Sequence, residues 1–323
     1  MSAHARGFLG FLAGFAASLG VTPAAMATTP FSLPVSNQAA LARGHALPVP
    51  EAAAGDEGAR LQLDWTSEFL LEQAGNETIE LDGETLRLAW TQRWVWNDWR
   101  LSAELPLLVT GGGTLDSGIE QWHDWFSLPN GRREERERDQ YRYAYTRGGA
   151  TVFDVRDSGA GLGDLRLGAA RCSEELRCLR AMLQLPTGDA DRFEGGGLGG
   201  ALWYERGFRL GEDERWTGTW AAGASATRAD GPLEAQAETI VPFGWVGVAY
   251  GLTERLDAGA QVYLHGPLYD DSVLDALSRA GGQLAFGFAY TVDERLRWTA
   301  ALQEDIVTAS SPDFSIHLGV EWR

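Results

Sequence analysis

Glu174, Glu214, Glu254 and Glu294 stand 40 residues apart, three times over, each inside a short polar break that leads into a strand-like stretch. The four breaks are Ser173-Glu174-Glu175-Leu176, Asp213-Glu214-Arg215-Trp216, Thr253-Glu254-Arg255-Leu256 and Asp293-Glu294-Arg295-Leu296. A fixed period of this size marks a repeated supersecondary unit. The Trp-Asp pairs and leucine ladders of soluble repeats are missing from it. One tight turn, two strands of about 10–13 residues and one longer loop fill such a period, which is a hairpin of an up-and-down barrel.

The chain ends say where such a barrel would live. Residues 1–27 read as a signal peptide: Arg6 is the positive start, Phe8 to Val21 the apolar run, and Ala25-Met26-Ala27 the small-x-small cleavage site. Residues 28–57 then form either a periplasmic arm or a lumen plug, and 58–323 the barrel itself. In the last segment Phe314, Ile316, Leu318, Val320 and Trp322 alternate with polar or small residues, the period-2 mark of a strand with one apolar face. A terminal strand ending near an aromatic residue is the kind of signal read by the barrel-assembly machinery of Gram-negative outer membranes. Composition agrees: 40 glycines suit a crowded lumen, and 13 Trp, 8 Tyr and 13 Phe suit the interfacial girdles of a membrane barrel. The net charge of −18 argues against nucleic-acid binding. The expected surroundings are therefore outer-membrane lipid and lipopolysaccharide; the sequence leaves the oligomeric state open.

Alternation gives the strands in order. Leu61, Leu63 and Trp65 mark the first, Leu86, Leu88 and Trp90 the second, and Trp99, Leu101, Ala103 and Leu105 the third. After a long insertion come Leu165, Leu167 and Ala169, then Leu179 to Leu185. Strands near 199–210, 215–228, 237–251, 256–265, 281–291, 296–306 and the C-terminal segment make about twelve. The even count returns both ends of the barrel to one rim. That rim also receives the turns at 97–98, 172–178, 211–214, 253–255 and 292–295. Register is ambiguous around Trp203-Tyr204 and Trp245-Val246, which put apolar groups on both faces.

Cys172 and Cys178 flank one short turn in an oxidising compartment and are expected to form a disulfide. Neither a cofactor nor a metal site is suggested. The insertion 110–160 carries an amphipathic helix over 118–127 in a long extracellular loop. Ser117 to Glu120 has capping-box spacing, Pro129-Asn130-Gly131 stops the helix, and Ile119, Trp122, Trp125 and Phe126 cluster on one face. That face could enter the outer leaflet, cap the mouth or pack on the rim.

Several segments recur in order: Ile119 to Gly131, Ser158 to Ala169, Gln184-Leu185-Pro186-Thr187-Gly188-Asp189, Gln303-Glu304-Asp305-Ile306, Ser311 to Leu318 and Pro34-Val35-Ser36-Asn37-Gln38. With them the chain resembles an uncharacterised proteobacterial family, domain of unknown function 3187, which implies an outer-membrane barrel and no established activity.

What points inward bears on function. Strand parity turns Arg87, Arg93, Arg100, Arg166 and Arg180 toward the lumen as a basic wall, with Glu104 on the same face. Asp64, Glu68, Asp257, Asp305 and Glu321 are expected around the other side. Such a transverse field suits a narrow channel for small polar or charged solutes. The other reading is a closed scaffold or surface-interaction barrel. A lipid-modifying enzyme is disfavoured, because Ser315 and His317 share a face that turns away from lipid, and His123 has no serine motif near it.

Overall fold

The fold is known from a computed structural model that describes residues 31–51, 57–126, 137–173, 176–212, 214–307 and 310–323. The signal segment, Glu174 and the 129–131 stop lie outside those residues. Strands β1 (Gly58–Ala74), β2 (Glu77–Trp96) and β3 (Trp99–Gly111) precede helix α1 (Asp116–Phe126) and an outer hairpin, β4 (Arg142–Arg147) and β5 (Ala150–Val155). Then follow β6 (Gly159–Leu162), β7 (Leu165–Cys172), β8 (Arg177–Leu185), β9 (Leu198–Leu210), β10 (Trp216–Arg228) and β11 (Ile240–Gly251). β12 (Leu256–His265), β13 (Gly281–Thr291), β14 (Leu296–Val307) and β15 (Phe314–Trp322) complete the chain.

Twelve of these, β1 to β3 and β7 to β15, form one closed antiparallel up-and-down barrel. It closes where β1 pairs with β15, from Ala59 opposite Trp322 to Ser67 opposite Phe314. β6 and β7 both pair with β3 and act as one strand interrupted at Gly163-Asp164. The interruption faces Pro106, which has no N–H to give the ladder; Gly163 donates to the Pro106 carbonyl at 2.9 Å, and a Cβ on it would meet the proline ring at 2.8 Å.

Antiparallel closure puts the β2–β3, β7–β8, β9–β10, β11–β12 and β13–β14 turns, with Gly58 and Arg323, at one rim, while the two-residue β1–β2 turn at Gly75-Asn76 lies at the other. The 40-residue recurrence has a local cause there. Thr253 Oγ1 accepts from the N–H groups of Arg255 and Leu256 at 3.2 and 3.0 Å, and Asp293 Oδ1 does the same for Arg295 and Leu296 at 2.7 and 2.9 Å. A polar side chain that folds back on its own backbone makes the turn, and the strand restarts after it.

Outward residues are those of a lipid-facing wall. Leu88, Leu105, Leu107, Leu183, Leu202, Val246, Phe286 and Leu318 are exposed around the middle. Trp96, Trp99, Trp216, Tyr290 and Trp298 are exposed near the short-turn rim, as an interfacial girdle. Parity at the ambiguous strands is settled by burial: Trp203 and Trp245 face in, Tyr204 and Val246 face out.

Helix α1 departs from expectation. It begins at Asp116, with Ile119 already donating to the Leu115 carbonyl at 2.9 Å, so Ser117 lies inside the first turn and does not cap it. Ile119 is buried whereas Trp125 is 68% exposed. Six residues at about 100° each rotate Trp125 far from Ile119, so the two cannot share one face. The side chains of Trp122 and Phe126 lie outside the described residues.

Candidate functional site

The lumen is filled from the short-turn rim by the chain's own N-terminal segment. Residues 31–39 run up the interior, a 3-10 turn at Ala40–Ala42 reverses the chain, and 44–51 return. Phe31 begins near that rim, its carbonyl accepting from Thr219 Oγ1 at 3.1 Å; at the far end Asn37 Nδ2 donates to the Ser310 carbonyl. On the way back Ala46 N–H donates to Thr227 Oγ1 at 3.0 Å, and Tyr263 donates its hydroxyl to the Pro48 carbonyl at 3.1 Å.

This extended segment forms no sheet ladder with the barrel, so its buried peptide groups need side-chain partners. Inward glutamines from four strands supply many of them. Gln62 donates to the Pro34 carbonyl, Gln303 to that of Ser36 and Gln184 to that of Gly44; Gln261 both accepts from the Leu33 N–H and donates to its carbonyl. Sequence reading passed over these glutamines. Their signal was present: each falls on the inward parity of its strand.

The lumen has two unlike halves. Arginines line the arc from β14 through β1, β2, β3 and β7 to β8. Across from them, β10 to β13 present mainly Ala, Gly, Thr and aromatic groups, such as Thr219, Ala249, Gly259, Ala285 and Ala289. Phe31, Leu33 and Val35 pack on Ala249, Ala285 and Ala289 of that small half and on Ala301 of neighbouring β14.

The charged groups are not sorted onto opposite walls, contrary to expectation. Asp64 sits directly across the β1–β2 pair from Arg87, with Oδ2 3.0 Å from Nη1, and Arg87 also reaches Glu104 at 2.5 Å. Arg60 and Arg166 each lie 3.8 Å from Glu104, Arg93 lies 2.8 Å from Glu321, and Arg297 lies 3.4 Å from Asp257. The cause is proximity and desolvation. Side chains opposite each other on paired strands meet, and buried charges persist only with partners. Glu68 sits higher, against the N-terminal segment: it faces Arg43 at 3.6 Å and accepts from Ala40 N–H and the Tyr143 hydroxyl. Arg180 lies between Glu205 of β9 and Glu51 of the N-terminal segment. Asp305 is half-buried on β14, opposite Gln283. Arg100 lines a cavity of about 50 Å³ with Arg93, Arg166, Arg180 and Glu51, beside the short-turn rim.

His317 joins Asp64 at 2.7 Å and Thr299 at 3.3 Å. The order carboxylate, imidazole, hydroxyl suits a proton relay, yet His317 is 1% exposed, and the small cavity beside Thr299 is about 20 Å³. It leaves no room for a lipid substrate.

At the far rim the outer loops fold over the tip. Tyr143, Tyr145, Phe153, Phe193, Leu268 and Tyr269 form one buried cluster with Ala39 to Ala42. Two of the motifs met in the sequence interlock to hold that lid. Asp164 accepts from the N–H groups of Gly188, Gly196 and Gly197 and from Gln184; Thr187 donates to the Gly163 carbonyl at 2.7 Å. At the other rim Cys172 and Cys178 are cross-strand partners at disulfide distance, with S–S at 2.07 Å.

A family model described as "Protein of unknown function (DUF3187)" matches residues 17–323. The chain belongs to the DUF3187 family. No curated protein matches this DUF3187 member in sequence. Among solved structures, the COG4313 outer membrane channel from Pseudomonas putida F1 aligns over 86% of this chain and 97% of its own, at 13% identity and a TM-score of 0.50. The toluene transporter TodX of Pseudomonas putida aligns over 91% and 99%, at 12% identity and a TM-score of 0.41. The NanC porin aligns over 82% and 99%, at 7% identity and a TM-score of 0.45. At 13% identity the first likeness speaks for the barrel fold alone.

Proposed function

We propose that this DUF3187 barrel is an outer-membrane channel for small polar or charged solutes, described here in a closed state with its N-terminal segment as the stopper. The observation that carries this reading is how residues 31–51 are held. Barrel amides, hydroxyls and two ion pairs bind their backbone and charges, without a continuous ladder. Each such hydrogen bond contributes only about 1 kcal/mol net, because water offers the same bond once the segment leaves. The wall uncovered would be lined with glutamine, threonine, arginine and carboxylate groups, which suits a wetted path. A permanently closed scaffold gains nothing from a polar lumen. It would be better served by an apolar core, since buried ion pairs add little stability over packed hydrocarbon.

The test is conductance in planar bilayers. The full mature chain should show rare, brief openings, whereas a variant lacking residues 31–50 should conduct steadily. Folding of that variant is checked by its heat-modifiable migration. A folded, silent deletion variant would leave the scaffold reading in place.

A further inference from the structure

The cavity beside the short-turn rim has a chemistry that the channel reading alone does not explain. Four of its lining side chains are arginines, Arg93, Arg100, Arg166 and Arg180, each from the inward face of β2, β3, β7 or β8. Two lining carboxylates face them, and they differ in kind. Glu104 belongs to β3 and is held among Arg60, Arg87 and Arg166, so it is part of the wall. Glu51 comes from the returning leg of the N-terminal segment and touches the wall through Arg180, at 3.0 Å. It is a carboxylate carried into an arginine site on a tether.

We propose that Glu51 occupies a binding site for a small carboxylate-bearing solute on the short-turn side of the barrel, and that such a solute, by taking its place, frees the returning leg of the stopper. The inference rests on the channel reading and names both its solute class and its release. Three observations converge. With Glu51 withdrawn, the four lining arginines still face Glu104, with Glu205 behind Arg180 and Glu321 behind Arg93, so guanidinium groups outnumber carboxylates at the site and Arg180 loses one of its two acceptors there. Guanidinium groups bind carboxylates through charge-assisted hydrogen bonds, and Arg180 Nη1 already donates one to Glu51 at 3.0 Å. The existing void of about 50 Å³, enlarged by the departing side chain, suits a carboxylate group with a short carbon stem. Pro48 and Val49 line the same cavity, so a solute there touches the leg it displaces.

The exchange is competitive. Glu51 has the advantage of its tether, a high effective concentration, and a free solute must make up for that with a second carboxylate or by its abundance. A monovalent inorganic anion at matched ionic strength screens charge without making the carboxylate's hydrogen bonds, so it should release the leg far less.

Val49 is buried beside Glu51 and reports the event. In the full mature chain, with its two native cysteines paired, Val49→Cys is labelled with a charged thiol reagent in chloride, succinate or inorganic phosphate at equal ionic strength. Succinate should speed labelling saturably, by roughly ten-fold, the equivalent of one charge-assisted hydrogen bond. Adding Glu51→Gln should give fast labelling in every salt, and adding Arg180→Gln should abolish the succinate response. Equal rates in succinate and chloride, or slow labelling in the Glu51→Gln background, would overturn the proposal; phosphate matching succinate would overturn the carboxylate assignment. Conductance of the variant lacking residues 31–50 separates the two readings. A steady pore whose parent ignores succinate removes this inference and keeps the channel; a silent deletion variant removes the channel first.

Discussion

Arg43, at the tip of the N-terminal hairpin, lies 3.6 Å from Glu68 on β1, and both are almost wholly buried. Glu68 is thereby the anchor of the tip, since Ala40 N–H and the Tyr143 hydroxyl also donate to its carboxylate.

Replacing Glu68 with Ala strips the Ala40 N–H and the Tyr143 hydroxyl of their acceptor and leaves Arg43 with an uncompensated buried charge. Breaking a buried pair in this way costs about 3 kcal/mol or more. Hydrogen exchange of the peptide covering residues 39–47 should quicken by about 100-fold, while the barrel strands keep their protection. Unchanged exchange at the tip would mean that the aromatic lid, not Glu68, holds it.

Asp164 is the corresponding anchor of the outer lid. Three backbone N–H groups and one amide converge on a single carboxylate that is 4% exposed. Gly195 and Gly196 there have φ of +144° and +98°, so the loop depends on glycine as well as on its acceptor. Asp164→Ala should cost at least about 2 kcal/mol locally. Segment 186–197 should then become cleavable by protease added outside intact cells, while the parent protein resists. Equal resistance would show that the loop is held by its packing alone.

The barrel was legible because its determinants are local. Period-2 alternation and turn residues lie within a few positions of each other, and the spacing of Glu254 and Glu294 follows from one turn chemistry repeated. The interior was legible only as parity. That Arg87 and Arg180 point inward can be counted along a strand. That Arg87 meets Asp64 and Glu104 while Arg180 meets Glu51 depends on register across strands and on a segment that crosses the lumen. The glutamine grip was hidden for the same reason: Gln62 and Gln303 have meaning only once Pro34 and Ser36 lie beside them. Trp125 departs from expectation because the aromatic cluster spans more than one side of the helix: six residues from buried Ile119, it turns outward.

The disulfide is a rim clip and not a pillar of the fold. Cys172 and Cys178 are already cross-strand partners in the β7–β8 hairpin and lie six positions apart in sequence. Closing so short a loop stabilises by about 2 kcal/mol on the chain-entropy estimate. Replacing both with Ser should lower the heat-modifiable transition by about 5 °C or less. It should leave conductance of the variant lacking 31–50 unchanged. Loss of the folded band would assign the pair a role in assembly.

His45 makes the docking of the N-terminal segment depend on pH. It lies on the returning leg, fully buried, edge-on to Tyr269 with ring centroids 5.1 Å apart. Burial, and secondarily the nearby imidazole of His265, lowers its pKa to about 4 from the ordinary 6.5. The docked segment therefore binds fewer protons than the undocked one. Docking is at full strength above about pH 6.5 and weakens as pH falls from there toward 4, by up to about 3 kcal/mol. The Cβ of Gly44→Cys is accommodated, its nearest heavy atom lying 3.6 Å away, and a spin label is attached there. Its mobile component should grow between pH 7 and pH 4. His45→Phe keeps the ring against Tyr269 without a titrating group, so in that variant the mobile fraction should stay flat over the same range. If His45→Phe retains the pH response, the proton is taken up elsewhere, with His265 and Glu68 the next groups to replace.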